Sequence, residues 1–292
     1  MVRALPSEPP VSGRSTPGFW TGGLRWVTSR WLVRFGYDGT VFYGWARQPG
    51  LRTVEGEIRR GLVRCGAGPN EAAISMAVAS RTDRGVSARA NALVVECDLP
   101  GDTLLRALNG IDPNIFFTAA VEVTGEFRVR RATRRTYRYY DPWNVSNWAR
   151  VREAASMLVG EIDVRSFGRS IPSHEVSPRK VESVQIRPLS GGCEIRVSAP
   201  SFVWGMVRKI VAALHEVDAG RLTLPRLRAA VAGSVRLTLP LAPPEPLVLW
   251  EVEYPLAWDF RWQGPNTGQE ALRRQRAGQL WTDRKRMAAL LG

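Results

Sequence analysis

The stretch Ser80-Arg81-Thr82-Asp83-Arg84-Gly85-Val86-Ser87-Ala88 decides how the rest of this chain is read. A small carboxylate stands between two arginines, which favour its charged form. A glycine two residues later permits a tight turn. The apolar run Ile74–Ala79 precedes the stretch and Ala92–Val95 follows it. That is the layout of an active-site loop between two strands.

Working outward, Trp31–Gly36 reads as a strand that ends in the turn Tyr37-Asp38-Gly39-Thr40, because Asp-Gly is a turn signal. The aromatic segment Phe42-Tyr43-Gly44-Trp45 follows. Thr53 can cap a helix whose apolar face is Val54, Ile58 and Leu62. Asp102 is the expected cap of a second helix through Leu104, Leu105 and Leu108, closed by Asn109-Gly110. Residues 115–123 and 127–140 read as extended.

A second unit begins near Pro142. Helical spacing runs from Val151 to Leu158 and stops at Gly160; Val181–Ile186 and Cys193–Val197 read as strands. The strongest helical pattern is Phe202–Val217, with Val203, Met206, Val207, Ile210, Val211, Leu214 and Val217 on one wide face. Thr223 caps a short helix with Leu227 and Val231, and Leu247–Tyr254 is a last strand. Each half mixes strands with about two helices in similar order, which indicates an α+β protein built from two related units whose sheets join. The divisions are 1–30, a proline- and glycine-rich flexible extension; 31–141; 142–258; and 259–292, a basic tail with helical character from Asn266 to Gly292.

The chain has 292 residues and a net charge of +14, from 41 basic and 27 acidic side chains. A length of this order buries a sizeable core. An excess of cations this large points to a polyanionic partner, most simply nucleic acid. Lysine is scarce (Lys180, Lys209 and Lys285), so arginine carries the charge. No apolar run has membrane-spanning length and no apolar signal core opens the chain, so a cytoplasmic protein without membrane contact is expected. Cys65, Cys97 and Cys193 fall in no metal-ligand spacing, and the only histidines are His174 and His215. The chemistry is therefore expected to run without a metal, and the cysteines to be unreactive thiols.

The densest cationic segment, Phe127–Tyr140, holds six arginines and no acid. As a strand it places Arg135, Tyr137 and Tyr139 on one face by alternation. Arginines for phosphates beside tyrosines for stacking suit an RNA groove, making Arg134, Arg135 and Arg138 candidate RNA contacts. An edge strand with solvated arginines and core tyrosines fits the same letters.

Taken in order, these segments resemble the tRNA pseudouridine synthases of the TruA family. The marks are the Asp83 loop, Tyr37-Asp38-Gly39-Thr40, Phe42-Tyr43-Gly44-Trp45, Thr53-Val54, Leu108-Asn109, Arg135-Thr136-Tyr137-Arg138-Tyr139, and Ser201-Phe202 leading to Met206-Val207-Arg208. They span residues 31 to 255. The resemblance implies two ferredoxin-like halves in one extended, mainly antiparallel sheet flanked by helices. It implies Asp83 as nucleophile, Tyr137 stacked on the target uracil, Arg208 paired with the aspartate, and Arg81 holding the space left by a flipped nucleotide. It also implies tRNA as partner, a target at positions 38 to 40 of the anticodon stem-loop, no cofactor, and a homodimer. Ser80, Arg84, Ser87 and Ala46 depart from the common family letters and look more archaeal than bacterial.

The residue types fit that chemistry. A carboxylate suits attack on C1′ or C6, or proton removal at the ribose 2′ position. On helix spacing Arg208 lies off the main apolar face, on the stripe Trp204–Arg208–Ala212–His215, and by spacing alone reads as a surface arginine. A silent RNA-binding relative of the same fold, or a pseudouridine synthase with a different RNA target, is the competing reading. A DNA-binding regulator lacks a recognition-helix or zinc motif.

Overall fold

The computed structural model describes residues 29–171 and 177–258. The expected flexible extension, apart from Ser29 and Arg30, and the expected basic tail from 259 onward lie outside the described residues.

Two strands frame the aspartate loop: β2 (Met76–Val78), in the run preceding it, and β3 (Ser87–Cys97). The alternating apolar residues of β3 are buried on both faces, which makes it a central strand. β1 (Ser29–Tyr37) runs antiparallel on one side of β3, pairing Val33 with Leu93 and Phe35 with Asn91. β4 (Ile115–Glu122) continues the sheet beyond β1.

On the other side of β3 lies the last strand, β10 (Leu247–Glu253). It is parallel to β3 over Val248↔Ser87 and Leu249↔Ala88. Then come β5 (Arg134–Asp141), β9 (Gly192–Ala199) and β8 (Ser183–Leu189), all antiparallel. The order is β4-β1-β3-β10-β5-β9-β8, with β2 paired to β3. The large, mainly antiparallel sheet expected from the sequence is present. β5 falls within 31–141 by sequence, yet it hydrogen-bonds β9 and β10, so the sheet's seam lies between β3 and β10. The short strands β6 (Gly160–Ile162) and β7 (Arg179–Val181) form a separate ribbon.

The helices are α1 (Val54–Arg64), α2 (Gly101–Asn109), α3 (Trp148–Met157), α4 (Val164–Phe167), α5 (Met206–Asp218) and α6 (Leu224–Val231). Thr53 caps α1 by accepting from Gly56 N, and Val54, Ile58 and Leu62 are buried as their spacing requires. Each fully buried aliphatic side chain of this kind stabilises the fold by about 1.5–3 kcal/mol.

Three expectations are corrected. Pro100, not Asp102, is the N-cap of α2. The extended run expected from 127 begins only at Arg134, because 128–131 turns, with Arg131 N donating to Arg128 O at 2.8 Å. α5 starts at Met206 rather than Phe202: Gly205 takes a φ of +75° as its cap, a left-handed turn that glycine permits. Phe202 and Val203 pack against the core without being helical.

Gly39 shows how tightly the loop is seated. A Cβ there would lie 1.9 Å from Val86 O and 2.2 Å from the Val86 carbonyl carbon. Gly39→Ala is therefore expected to destabilise the protein by about 3 kcal/mol, the upper end for overpacking, and to displace the Asp83 loop. Urea midpoints of the two proteins check it.

Candidate active site

The Asp83 loop is pinned by backbone and side chains from four directions. Trp45 N donates to Thr82 O at 3.1 Å. The hydroxyls of Tyr37 and Thr82 lie 2.7 Å apart, and Asn91 Nδ2 donates to Ser80 O at 2.9 Å. Val86 N closes the turn on Asp83 O at 3.2 Å. Gly44 and Gly85 both have positive φ, +91° and +84°, and Gly44 lets the aromatic segment lie against the backbone of 82–84. Thus the Tyr37–Trp45 and Ser80–Ala88 segments, separate in sequence, form one structure.

The fourth direction is Arg135, which is only 6% exposed. Its Nε donates to Ser80 Oγ at 3.0 Å. Nη2 reaches Ala79 O at 3.0 Å and Arg130 O at 2.9 Å, and Nη1 donates to Pro200 O. Burial pulls its pKa below the ordinary guanidinium value. It ties the aspartate loop, the 128–131 turn and the segment before α5 together.

This corrects the expectation that Arg135 contacts RNA. The alternation of β5 was right, but the face carrying Arg135, Tyr137 and Tyr139 is covered by packing rather than open as a groove. Arg134 and Arg138 alternate to the opposite face. There Arg134 pairs with Glu182 at 2.6 Å. Arg138 lies over the Trp250 ring at 3.6 Å, with Glu194 at 3.4 Å. These arginines do not join Asp83.

Arg208 does. Its Nη1 donates to Asp83 Oδ2 at 2.8 Å and its Nε to Ala242 O at 2.6 Å. Its side chain is 12% exposed and that of Asp83 24%, so the pair is largely shielded from water, unlike fully exposed pairs, which contribute little. The surface reading of Arg208 from spacing alone is wrong, because the Asp83 carboxylate and the Ala242 carbonyl draw its guanidinium inward.

Tyr137 lies beneath, buried, its ring edge-on to Phe202 with centroids 5.2 Å apart. Burial pushes its phenol up to about 12, helped by the nearby Asp83 charge and opposed by Ser80 and Arg135. Tyr137 is thus a neutral phenol at working pH. Arg81 is exposed, and among the described residues it makes no ion pair.

One contact escaped the sequence. Trp204 Nε1 donates to Asp83 Oδ1 at 2.7 Å, so each carboxylate oxygen has a donor. Its place four residues before Arg208 was visible, but its position in a loop was not. Among the thiols, burial pushes Cys193 up to about 12 and raises Cys97 as well, which suits unreactive cysteines.

The buried tyrosines give a pH prediction. Burial raises Tyr37, Tyr137, Tyr139 and Tyr254 above the ordinary phenol value near 10. The unfolded chain therefore loses these protons first as pH rises. Their contribution is intact below about pH 10 and is lost above it. Between pH 9 and 11 Tyr137 alone is expected to cost about 1 kcal/mol of stability, read as a fall in the urea midpoint. An unchanged midpoint would contradict the burial.

Comparison with known proteins places the chain in a family. A family model described as tRNA pseudouridine synthase matches residues 154–255. A protein of Thermococcus kodakarensis named tRNA pseudouridine synthase A is 38% identical over 225 residues, covering 76% of this chain and 84% of the relative. Proteins of the same name from Pyrococcus horikoshii and Methanothrix thermoacetophila are 35% and 32% identical, the latter covering 89% of this chain and 94% of its own. Shared identity at that level across nearly the whole length of the relatives shows that the chain belongs to the tRNA pseudouridine synthase A family.

Proposed function

We propose that this isomerase converts uridine to pseudouridine in the anticodon stem-loop of tRNA, at positions 38 to 40, with Asp83 as nucleophile. The reaction breaks the C1′–N1 bond, turns the uracil and joins C1′ to C5; C5 loses a proton and N1 gains one. Nothing is oxidised and no atom is gained, so the chemistry asks for no cofactor. The observation that carries the reading is the Asp83 carboxylate held 2.8 Å from Arg208 and 2.7 Å from the Trp204 indole, near enough to Tyr137 for its charge to act on the phenol.

In this reading Arg208 fixes the carboxylate and compensates its charge. On the same reading the packing over Tyr137, a buried neutral phenol, opens on RNA binding so that its ring meets the uracil. Arg81, at the mouth, takes the space left by the extruded nucleotide. Extrusion costs a few kcal/mol, and phosphate contacts with this cationic chain offset it. We take the working form to be a cytoplasmic homodimer, tested by light scattering with and without tRNA.

The target is tested with tRNA transcripts in which single anticodon-arm uridines are replaced by cytidine. Pseudouridine should vanish only at the replaced position. Product confined to another arm would refute the anticodon assignment. No product on any transcript despite binding would favour the silent RNA-binding alternative.

A further inference from the structure

Among the described residues Trp204 is the most exposed large apolar side chain, at 51%, yet it is tethered at three points. Its Nε1 donates to Asp83 Oδ1 at 2.7 Å. Its carbonyl accepts from Arg169 N at 2.8 Å, and the Arg169 guanidinium lies 4.5 Å from the ring centroid. The next residue is Gly205, whose left-handed φ of +75° caps the start of α5. Met206 N closes that turn on Val203 O at 3.1 Å. Core packing does not account for a half-exposed indole fixed in this way. The ring's only polar atom meets the carboxylate.

An aspartate side chain turns easily about its last bond, where the preference is broad and two-fold. Arg208 holds only Oδ2, through Nη1 at 2.8 Å, and a single hydrogen bond leaves the plane of the carboxylate free to turn. A donor on the second oxygen removes that freedom. The remaining lone pairs, out of about four on an ionised carboxylate, then keep set directions. Orientation of this kind raises the rate without any new contact to the substrate, and a misplacement of about 1 Å costs about a hundredfold.

We infer that Trp204 is a positioning residue for the isomerisation: its indole N–H sets the orientation of the Asp83 carboxylate that Arg208 alone leaves open. It acts through Asp83 and not on the RNA, so its loss slows the chemical step and spares tRNA binding. The inference rests on the reading of Asp83 as the nucleophile.

The test measures two quantities for each variant. One is the single-turnover rate of pseudouridine formation on a tRNA transcript with saturating enzyme; the other is the Kd for the same tRNA by fluorescence anisotropy. Trp204→Phe keeps an aromatic ring and removes the N–H. It is expected to slow the rate about tenfold, the effect of losing a hydrogen bond to a charged group. Its Kd should stay within about threefold of wild type, because phosphate contacts dominate affinity. Trp204→His restores a donor, since imidazole Nε2 stands as many bonds from the backbone as the indole nitrogen; its rate should return to within about threefold of wild type. The inference is overturned if Trp204→Phe turns over like wild type, or if histidine is as slow as phenylalanine. It is equally overturned if Trp204→Phe loses affinity as much as rate, which would make the ring an RNA contact. Asp83→Asn, run in parallel, separates the two readings. A wild type that makes no product, or an Asp83→Asn that does, refutes the nucleophile reading, and this role falls with it. An inactive Asp83→Asn beside an unimpaired Trp204→Phe refutes this role alone.

Discussion

Asp83→Asn is expected to abolish pseudouridine formation while leaving tRNA affinity within about tenfold. The substitution keeps size and shape but removes the charge, and an amide is no substitute for a carboxylate as nucleophile or base. Binding should survive because phosphate contacts dominate affinity, and Asp83, an anion, adds none. Arg208 would lose its ionic partner but keep its bond to Ala242 O. The loop would stay in place, held by Thr82, Ser80 and Asn91 rather than by the carboxylate. Loss of turnover together with loss of binding would instead mean that the charge holds Trp204 and Arg208 in place for RNA, a different account.

Arg135→Ala should be the most damaging substitution for folding. It removes a buried side chain whose N–H groups satisfy Ser80 Oγ and the carbonyls of Ala79, Arg130 and Pro200. Orphaning such groups and leaving a void costs about 4 kcal/mol by the usual range for buried charged networks, a large part of a typical total stability of about 5–15 kcal/mol. Arg135→Lys, with one compact ammonium in place of a planar fork, should recover only part of the loss. Urea denaturation measures both. A variant that stays as stable as wild type yet binds RNA more weakly, with a flatter salt dependence, would return Arg135 to the role its neighbours in sequence suggested.

That reversal shows where the sequence was legible. Local signals held: Thr53 and Thr223 cap the helices they precede, and Gly160, at φ +103°, lies just past α3, as its place after the apolar pattern required. The two-residue period of β5 correctly grouped Arg135 with Tyr137 and Tyr139. Period alone does not say which face another layer covers, so of the three arginines expected to meet RNA, Arg134, Arg135 and Arg138, it is Arg135 that is buried. The apolar letters of Phe202 and Val203 continue the α5 pattern, and only the left-handed turn at Gly205 ends it. The insertion of β10 between β3 and β5 is a non-local pairing with no local mark. Trp204 shares that obscurity, since its contact with Asp83 spans 121 residues of chain.

The central claim is that the Asp83 carboxylate performs the isomerisation. Single-turnover incubation of one unmodified tRNA transcript with excess wild type or Asp83→Asn, in chelator and without nucleotide, tests it most directly. Pseudouridine content is read position by position at matched occupancy. The account predicts conversion at one or more anticodon-arm uridines by wild type and none by the variant. Conversion by Asp83→Asn at a rate near that of wild type would contradict it.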